Sequence, residues 1–418
     1  MTSVAHHAWF TNANLKRVMD MLNADGGEGR VVGGAVRNAL MGMEIGDIDI
    51  ATTLLPDEVV RRAKTAGLKP IPTGIAHGTI TVICNSEPFE ITTLRSDEET
   101  DGRHAQVQFG TDWQVDANRR DLTINALYAD KDGDVIDLVG GLVDIEARNV
   151  RFIGDASKRI EEDHLRILRF FRFFAYYGSG RPDADGLRAS ARAKDSINKL
   201  SVERVWSEMK KLLGAPDPSR ALLWMRQMGV LSVIFPETEK WGIDAIHGLI
   251  DSEQAFGWKP DPFLRLASIV PPDEERMRSL GNRLKMSNAE KEVLINWAKA
   301  PNIEPSLAGT ALDRLLYRSG KEGIVMKLKL ALSVARSTHD GSQASIEKVV
   351  GFSNLLSRAE KFERPNLPVN GADMINAGVA PGPEVGRILG ALEEQWLSSN
   401  FTLSREKLLD KVETLKPQ

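Results

Sequence analysis

Near Arg151 the chain changes its apolar rhythm, and that change limits the folds open to it. Before it, Val31-Val32 opens a short apolar run, Ile45 to Ala51 alternates apolar with acidic residues, and Thr79 to Cys84 and Phe89 to Leu94 are rich in β-branched residues. Such runs mark half-buried strands, whose successive side chains face opposite ways. Between them Pro56 to Ala66 carries its charges on one side, reads as a helix and stops at Gly67. After Arg151 β-branched runs become scarce and apolar residues recur every three or four positions, which lines up one face of a helix and no face of a strand. The expected fold class is α+β at the front and all-α over the last two thirds. At 418 residues there is room for about two to four domains.

Pro and Gly clusters predict breaks in the helical part at Gly178 to Pro182, Gly214 to Pro218, Lys259 to Pro262, Pro271-Pro272, Pro301 to Pro305 and Pro365 to Pro368. P-loop and Rossmann chemistry lose their best support: Gly320-Lys321 lacks the upstream glycine of a Walker A pattern, and no GxGxxG follows a strand. With 42% hydrophobic and 27% charged residues the balance is that of a soluble globular chain. No apolar run approaches the roughly 20 residues that span a bilayer, so no membrane partner is expected. Met1 to Phe10 carries no export signal, and Cys84, the single cysteine, can form neither an internal disulfide nor a thiolate zinc cluster; both point to the cytoplasm. A net charge of −4 speaks against coating nucleic acid by bulk charge, although seven Lys or Arg against four Asp or Glu between Arg148 and Arg172 allow a local basic strip. The seven histidines show no ligand spacing; His164 reads as a surface neighbour and His339-Asp340 as a polar loop.

The most informative segment is VVGGAVRNALMGMEIGDIDI, Val31 to Ile50. A strand running into Gly33-Gly34 and then a helix would bring backbone amides close to phosphate oxygens, with Arg37 in the first turn to add a bidentate contact. A turn glycine pair with a surface arginine is the alternative. Asp47 and Asp49, two apart in a strand-like run, point to one face, where like charges repel. A Mg²⁺ site needs such a pair; a solvated edge strand merely tolerates it. Glycine turn, helix and DxD strand in this order resemble the nucleotidyltransferases of the polymerase-β type. That resemblance implies two Mg²⁺ ions bridging the aspartates and a nucleoside triphosphate, with a third carboxylate nearby, for which Glu90 in PFEITTLR is the candidate.

Two further motifs carry charge into apolar helix-like runs. In ANRRDLTINAL, Asp121 suits an N-cap, while Arg119 and Arg120 beside a triphosphate can hold phosphate and ribose with planar forks. In SKRIEEDHLRILRFFRFFAYY, Ile160, Ile167, Phe171 and Phe174 form an apolar stripe, and Asp163, Arg166 and Arg169 share a helix face. An ordinary intrahelical ion pair explains that spacing. So does base reading: a carboxylate accepts from an exocyclic amine and a guanidinium donates to a ring nitrogen, the pair that C and A present and that G and U invert. A fixed Asp–Arg pair can thus select CTP and ATP without a template.

Together GGAVRN with DIDI, RRDLTINAL and EDHLRILR resemble the class II tRNA nucleotidyltransferases, the CCA-adding enzymes, across the first half of the chain. HGTITV (His77 to Val82), FEITTLR (Phe89 to Arg95) and TDGRHAQVQF (Thr100 to Phe109) extend the likeness, the last resembling the flexible loop such enzymes use to switch from CTP to ATP. DGDVIDLVGG (Asp132 to Gly141) resembles their head–neck hinge, and LSVERVWSEMKKLL (Leu200 to Leu213) the helix that supports the base-reading one. The resemblance implies a catalytic head over 1–147, a neck over 148–214, a body over 215–345 and a tail over 346–418. It implies metal binding by Asp47 and Asp49, phosphate and ribose contacts from Gly33, Gly34, Arg37, Arg119, Arg120 and Asp121, and base selection by Asp163, Arg166 and Arg169. The implied partner is tRNA, gripped by its acceptor and T arms, and not DNA. Rival readings are poly(A) polymerase, a tRNA nucleotidyltransferase that adds only A, a small-molecule nucleotidyltransferase, and a non-catalytic RNA-binding protein. PTGIAHGTITV after the DxD strand and the ending DKVETLKPQ lack the basic stretches typical of the first rival.

Overall fold

The computed structural model describes residues 2–98 and 106–416, and they fall into two units, 1–236 and 237–418. Four strands of the first unit fall on the expected apolar runs, β1 (Gly29–Val32), β2 (Asp49–Thr52), β4 (Thr79–Cys84) and β5 (Glu87–Thr93), whereas β3 (Lys69–Gly74) and β6 (Arg95–Glu98) lie outside them. With β7 (Gln106–Phe109), β8 (Leu127–Ala129) and β9 (Val135–Asp137) they make a seven-stranded sheet of order β3-β4-β5-β2-β1-β8-β9 and a small β6-β7 ribbon. Among the described residues only β2 and β5 pair in parallel. Thr100 to Ala105, most of the segment likened to a flexible loop, lie outside the described residues.

Register explains the sheet's two faces. Val31, Ile50, Ile91 and Ile80 lie opposite one another on β1, β2, β5 and β4, all at most 1% exposed. Helices α1 (Ala13–Leu22) and α3 (Pro56–Thr65) pack with these strands, and α2 (Gly34–Leu40) packs on β1 and β8. One residue along, side chains point the other way. That row reads Val32, Asp49, Glu90 and Thr81. Its face is covered at the β8 end, where Tyr128, Ala117 and Trp113 of α4 (Trp113–Arg119) pack with Val32 and Ala51, and it stays open at Asp49 and Glu90.

The chain leaves the sheet through DGDVIDLVGG, where the Asp137 carboxylate accepts the amides of Val139, Gly140, Gly141 and Leu142 and opens α5 (Gly141–Glu146). Helices α6 (Ala156–Glu162), α7 (Arg166–Tyr177), α8 (Ala184–Ala193) and α9 (Val202–Leu213) follow, as the apolar spacing predicts. Ile160, Ile167, Phe171 and Phe174 are all buried. They do not belong to one helix, however. Asp163 is extended (φ −152°), and its carboxylate accepts the Leu165 amide, a local bond that competes with continuing the helix.

Five of the six Pro or Gly clusters fall between helices, and the sixth, Lys259 to Pro262, ends on the proline that opens the helix Pro262–Ile269. The cluster at Gly214 to Pro218 is a helix end within the first unit, since α10 (Ser219–Gln227) packs on α7 and leads into α11 (Val230–Ile234) before the unit ends at Pro236. The second unit is helical throughout its described residues. The helices Lys321–Ser337 and Gln343–Lys361, on either side of the expected body–tail division, share one core through Ile324, Leu328, Leu332, Phe352 and Leu356. A further core gathers Met374, Ile388, Leu392 and Trp396. Among the described residues no helix is long and apolar enough to cross a membrane.

Candidate functional site

A cleft of about 480 Å³ in the first unit gathers ten of the twelve residues singled out from the sequence: Gly33, Gly34, Arg37, Asp49, Arg119, Arg120, Asp121, Asp163, Arg166 and Arg169. Asp47 and Glu90 stand outside its lining. Asp47 lies two residues before Asp49, at the entry to β2, and Glu90 is Asp49's register partner on β5, so all three lie at the open part of the sheet's face. Ile48 and Ile50 are buried between the exposed acids, which is the alternation that places both aspartates on one face. Desolvation, then the charge of Glu90, pushes the Asp49 carboxyl up to about 6; Asp47 adds to the rise and Arg120 opposes it. The donors are hard oxygens in an uncompensated negative field, the chemistry that suits a divalent cation. Among the described residues no three acidic, His or Cys side chains close into a metal cage by themselves, so an ion here would draw its other ligands from phosphate and water.

Gly33 caps α2 at φ +72°, a conformation that favours glycine, and the turn brings its backbone to the cleft. Arg37 follows in the same short helix and lines the cleft, but it is largely buried and most of its donors are taken by neighbours in the chain. It is 6% exposed, donates to Tyr177 Oη at 2.7 Å and to Asn125 and Asn38, and lies 4.0 Å over the Tyr177 ring. Burial lowers its pKa.

Arg119 and Arg120 do face the cleft, and each is held from behind by Asp116. Asp116 Oδ1 accepts from Arg119 Nε at 2.8 Å; Oδ2 accepts from Arg120 at 3.0 Å and from Tyr128 Oη at 2.8 Å. Burial would raise the Asp116 carboxyl, but Arg120 and Arg119 outweigh it and hold it below the usual carboxylate range. Asp121 is not the predicted N-cap, because the run after it is a single 3₁₀ turn leading into β8. It is a buried anchor instead, accepting from Arg169 Nε at 2.6 Å, from Asn125 and from the Leu122 amide. Against the upward push of burial, Arg169 chiefly holds it down to about 2.

Asp163 and Arg166 line the same cleft without sharing a helix face, since Asp163 sits in the break before α7. The break leaves Asp163 as an acceptor at the cleft wall, where Arg204 of α9 donates to Oδ2 at 2.7 Å. Arg166 is fixed by Glu162 and by the carbonyls of Arg159 and Arg119, while its Nε–H has no partner among the described residues. Sequence reasoning missed Asp116, Asn125, Phe173 and Arg204. The spacing of Asp116, three and four residues before the paired arginines, was a usable signal. Arg204, 41 residues from Asp163, offered none.

Three comparisons bear on this arrangement. Residues 29–151 match the family model described as the Poly A polymerase head domain, and residues 264–412 that of tRNA nucleotidyltransferase domain 2. The chain is 33% identical over 405 residues to a mouse (Mus musculus) protein named CCA tRNA nucleotidyltransferase 1, mitochondrial, across 95% of this chain and 89% of that one. It is 30% identical over 398 residues to the CCA-adding enzyme of Levilactobacillus brevis, across 94% and 96%. Among solved structures it is similar to the Bacillus stearothermophilus CCA-adding enzyme in complex with CTP, with a TM-score of 0.72, 26% identity and 96% of both chains covered.

Proposed function

The chain belongs to the class II tRNA nucleotidyltransferases, the CCA-adding enzymes, and from that premise we propose that its cleft adds C, C and A in turn to the 3′ end of tRNA, taking CTP and ATP and releasing pyrophosphate. The observation that carries this reading is the convergence, in one cleft, of Asp49 from the acidic part of the sheet's open face, a wall of arginines and the Asp163–Arg166 pair. Asp47, Asp49 and Glu90 would hold two Mg²⁺ ions, which when bound lower the pKa of the attacking 3′-hydroxyl and support the leaving pyrophosphate. Arg119 and Arg120 present guanidinium edges to the triphosphate, and the Gly33-Gly34 backbone keeps that end of the cleft free of side chains. Arg37, with most of its donors engaged by Asn38, Asn125 and Tyr177, braces the wall.

Base choice rests on Asp163 and Arg166. An Asp163 oxygen accepts from the amine of C or A, and the free Arg166 Nε–H donates to the ring nitrogen beside it. U and G present the opposite polarity and leave buried polar groups unpaired, a strong form of rejection. The head, 1–147, thus supplies the reacting edge and the neck, 148–214, the base reader, leaving tRNA phosphates to the helical remainder. The one buried cysteine supports the cytoplasm as compartment; the vertebrate relatives are named as mitochondrial.

Incorporation on a tRNA transcript ending at the discriminator base, with Mg²⁺ and CTP, ATP or both, tests this. Two additions with CTP and a third only with ATP are expected. A ladder of adenosines on any RNA would mean poly(A) polymerase, a single A added only to tRNA already ending in CC would mean an A-adding specialist, and no addition would favour a binding protein.

A further inference from the structure

The two arginines of the cleft wall leave the backbone in different directions. Arg119 closes α4, whereas Arg120 has already left the helix in extended conformation (φ −69°, ψ 165°). Nothing in the backbone makes their forks point the same way, and two adjacent guanidiniums repel. One carboxylate brings them into line. Asp116 lies 1% exposed beneath both, and its two oxygens are divided between them. Arg119 spends its Nε and one Nη2 hydrogen on Oδ1, at 2.8 and 2.7 Å, and Arg120 spends the same edge on Oδ2, at 3.1 and 3.0 Å. In both residues Nη1 has no partner among the described residues, and both residues line the cleft, whereas Asp116 does not.

Tyr128 fixes the carboxylate in turn. Its hydroxyl donates to Oδ2 at 2.8 Å, and its ring is held edge-on by Trp113 at 5.3 Å, whose indole donates to Glu28 at 2.9 Å. The chain from Glu28 to Arg120 is continuous and runs behind the cleft wall.

We propose that Asp116, steadied by Tyr128, is the positioning residue that aligns the Arg119 and Arg120 forks on the triphosphate, so that phosphate affinity depends on a carboxylate the substrate never touches. This rests on the reading of those arginines as phosphate holders. An aspartate fits the task because it reaches two guanidiniums three and four residues on while staying short enough to keep one orientation. A glutamate retains the charge and loses the fixed angle; an asparagine turns an N–H toward one guanidinium and surrenders the charge and one of the two acceptor oxygens.

The test uses the full chain with Asp116→Asn, Asp116→Glu, Tyr128→Phe and Arg120→Ala. Its readouts are kcat and KM for CTP and ATP, competition by inorganic tripolyphosphate and by CMP, tRNA affinity, and thermal unfolding. Asp116→Asn is expected to raise KM for both nucleotides and to weaken tripolyphosphate by roughly ten- to hundredfold, with CMP and tRNA affinity changed by less than about twofold. Asp116→Glu should recover part of that loss, and Tyr128→Phe should show about a two- to fivefold loss in the same direction. A folded Asp116→Asn protein with unchanged tripolyphosphate affinity, or with equal losses for CMP and tripolyphosphate, overturns the proposal. If that variant does not fold, Tyr128→Phe decides, and unchanged tripolyphosphate affinity there overturns it equally. Arg120→Ala separates the two ideas: tripolyphosphate binding unaffected by it would remove the phosphate-holding role itself, while a loss there without one in Asp116→Asn would remove the positioning role alone.

Discussion

Asp47, Asp49 and Glu90 stand at the acidic edge of the cleft with no ion-pair partner among the described residues, whereas Arg119, Arg120, Arg166, Arg169 and Arg204 on the opposite wall each hold a carboxylate of the chain. Both sides carry like charges crowded together, and they handle the crowding differently. The wall neutralises its repulsion internally and gains fixed directions, which suits groups that must meet a planar base edge or a phosphate. The edge leaves its repulsion unpaid and waits for a cation to relieve it, visible in the raised carboxyl of Asp49. Removing a residue from the edge should therefore stop the reaction, and removing one from the wall should blur it.

The largest effect is expected on the edge. Asp47→Ala or Asp49→Ala should cut nucleotide incorporation by about a thousandfold or more, since the chemistry supplied by the bound ions has no substitute in the chain. Affinity for tRNA, measured by filter binding, should stay nearly unchanged. Normal turnover in either variant would erase the distinction between the two sides.

On the wall, the sharpest loss should be in choice and not in rate. Exchanging the charges, Asp163→Arg with Arg166→Asp, inverts the donor and acceptor offered to the base. The preference for CTP and ATP over UTP and GTP should fall by roughly a hundredfold, the scale of one bidentate pair. Misincorporation scored nucleotide by nucleotide on tRNA measures it, and unchanged choice would sink the protein-template reading. A smaller effect belongs to Arg119→Lys, which keeps the charge and loses the planar fork. KM for CTP and ATP should rise about tenfold with kcat less affected.

These contrasts were unequally legible in the sequence. Edge residues announced themselves because strand alternation is a local rule: once Ile48 and Ile50 are inward, Asp47 and Asp49 must be outward. The wall was local only in part, through Asp116 three and four residues before Arg119 and Arg120 and Glu162 four before Arg166. Arg37 sits in the first turn as expected, but its direction was decided by Tyr177, 140 residues away, and Arg204 reached Asp163 only through the packing of α9 on α7. Helical spacing misled at Asp163, where a side-chain bond to the Leu165 amide breaks the periodic run and makes the residue an acceptor at the cleft wall. The same weakness hid the end of ANRRDLTINAL, where a 3₁₀ turn and the start of the three-residue strand β8 were too brief for periodicity to separate from helix.

The smallest effects lie in stability, and there the two sides should respond to pH with opposite sign. Asp121 titrates at about 2 in the folded chain against 3.8 when free, so its ionised form stabilises the fold above about pH 4, and that contribution is lost as pH falls through 2. Asp121→Asn should thus lower stability by roughly 2 kcal/mol at neutral pH, a deficit that shrinks below pH 4. Asp49 runs the other way. Its carboxyl is raised from 3.8 to about 6, so the folded chain bears no penalty below about pH 4, acquires one as pH climbs through 6, and carries all of it at pH 7.5. Because Asp49 is exposed to solvent, screening should hold that penalty to about 1 kcal/mol or less. Asp49→Asn should therefore melt slightly higher than the natural chain at pH 7.5 in EDTA, and equally with it at pH 4. Adding Mg²⁺ with CTP should reverse the order at pH 7.5, because only the carboxylate gains from the cation. If Asp49→Asn were instead destabilised at pH 7.5 in EDTA, the edge would be neutralised by the chain itself, and the contrast between the two sides of the cleft would fail.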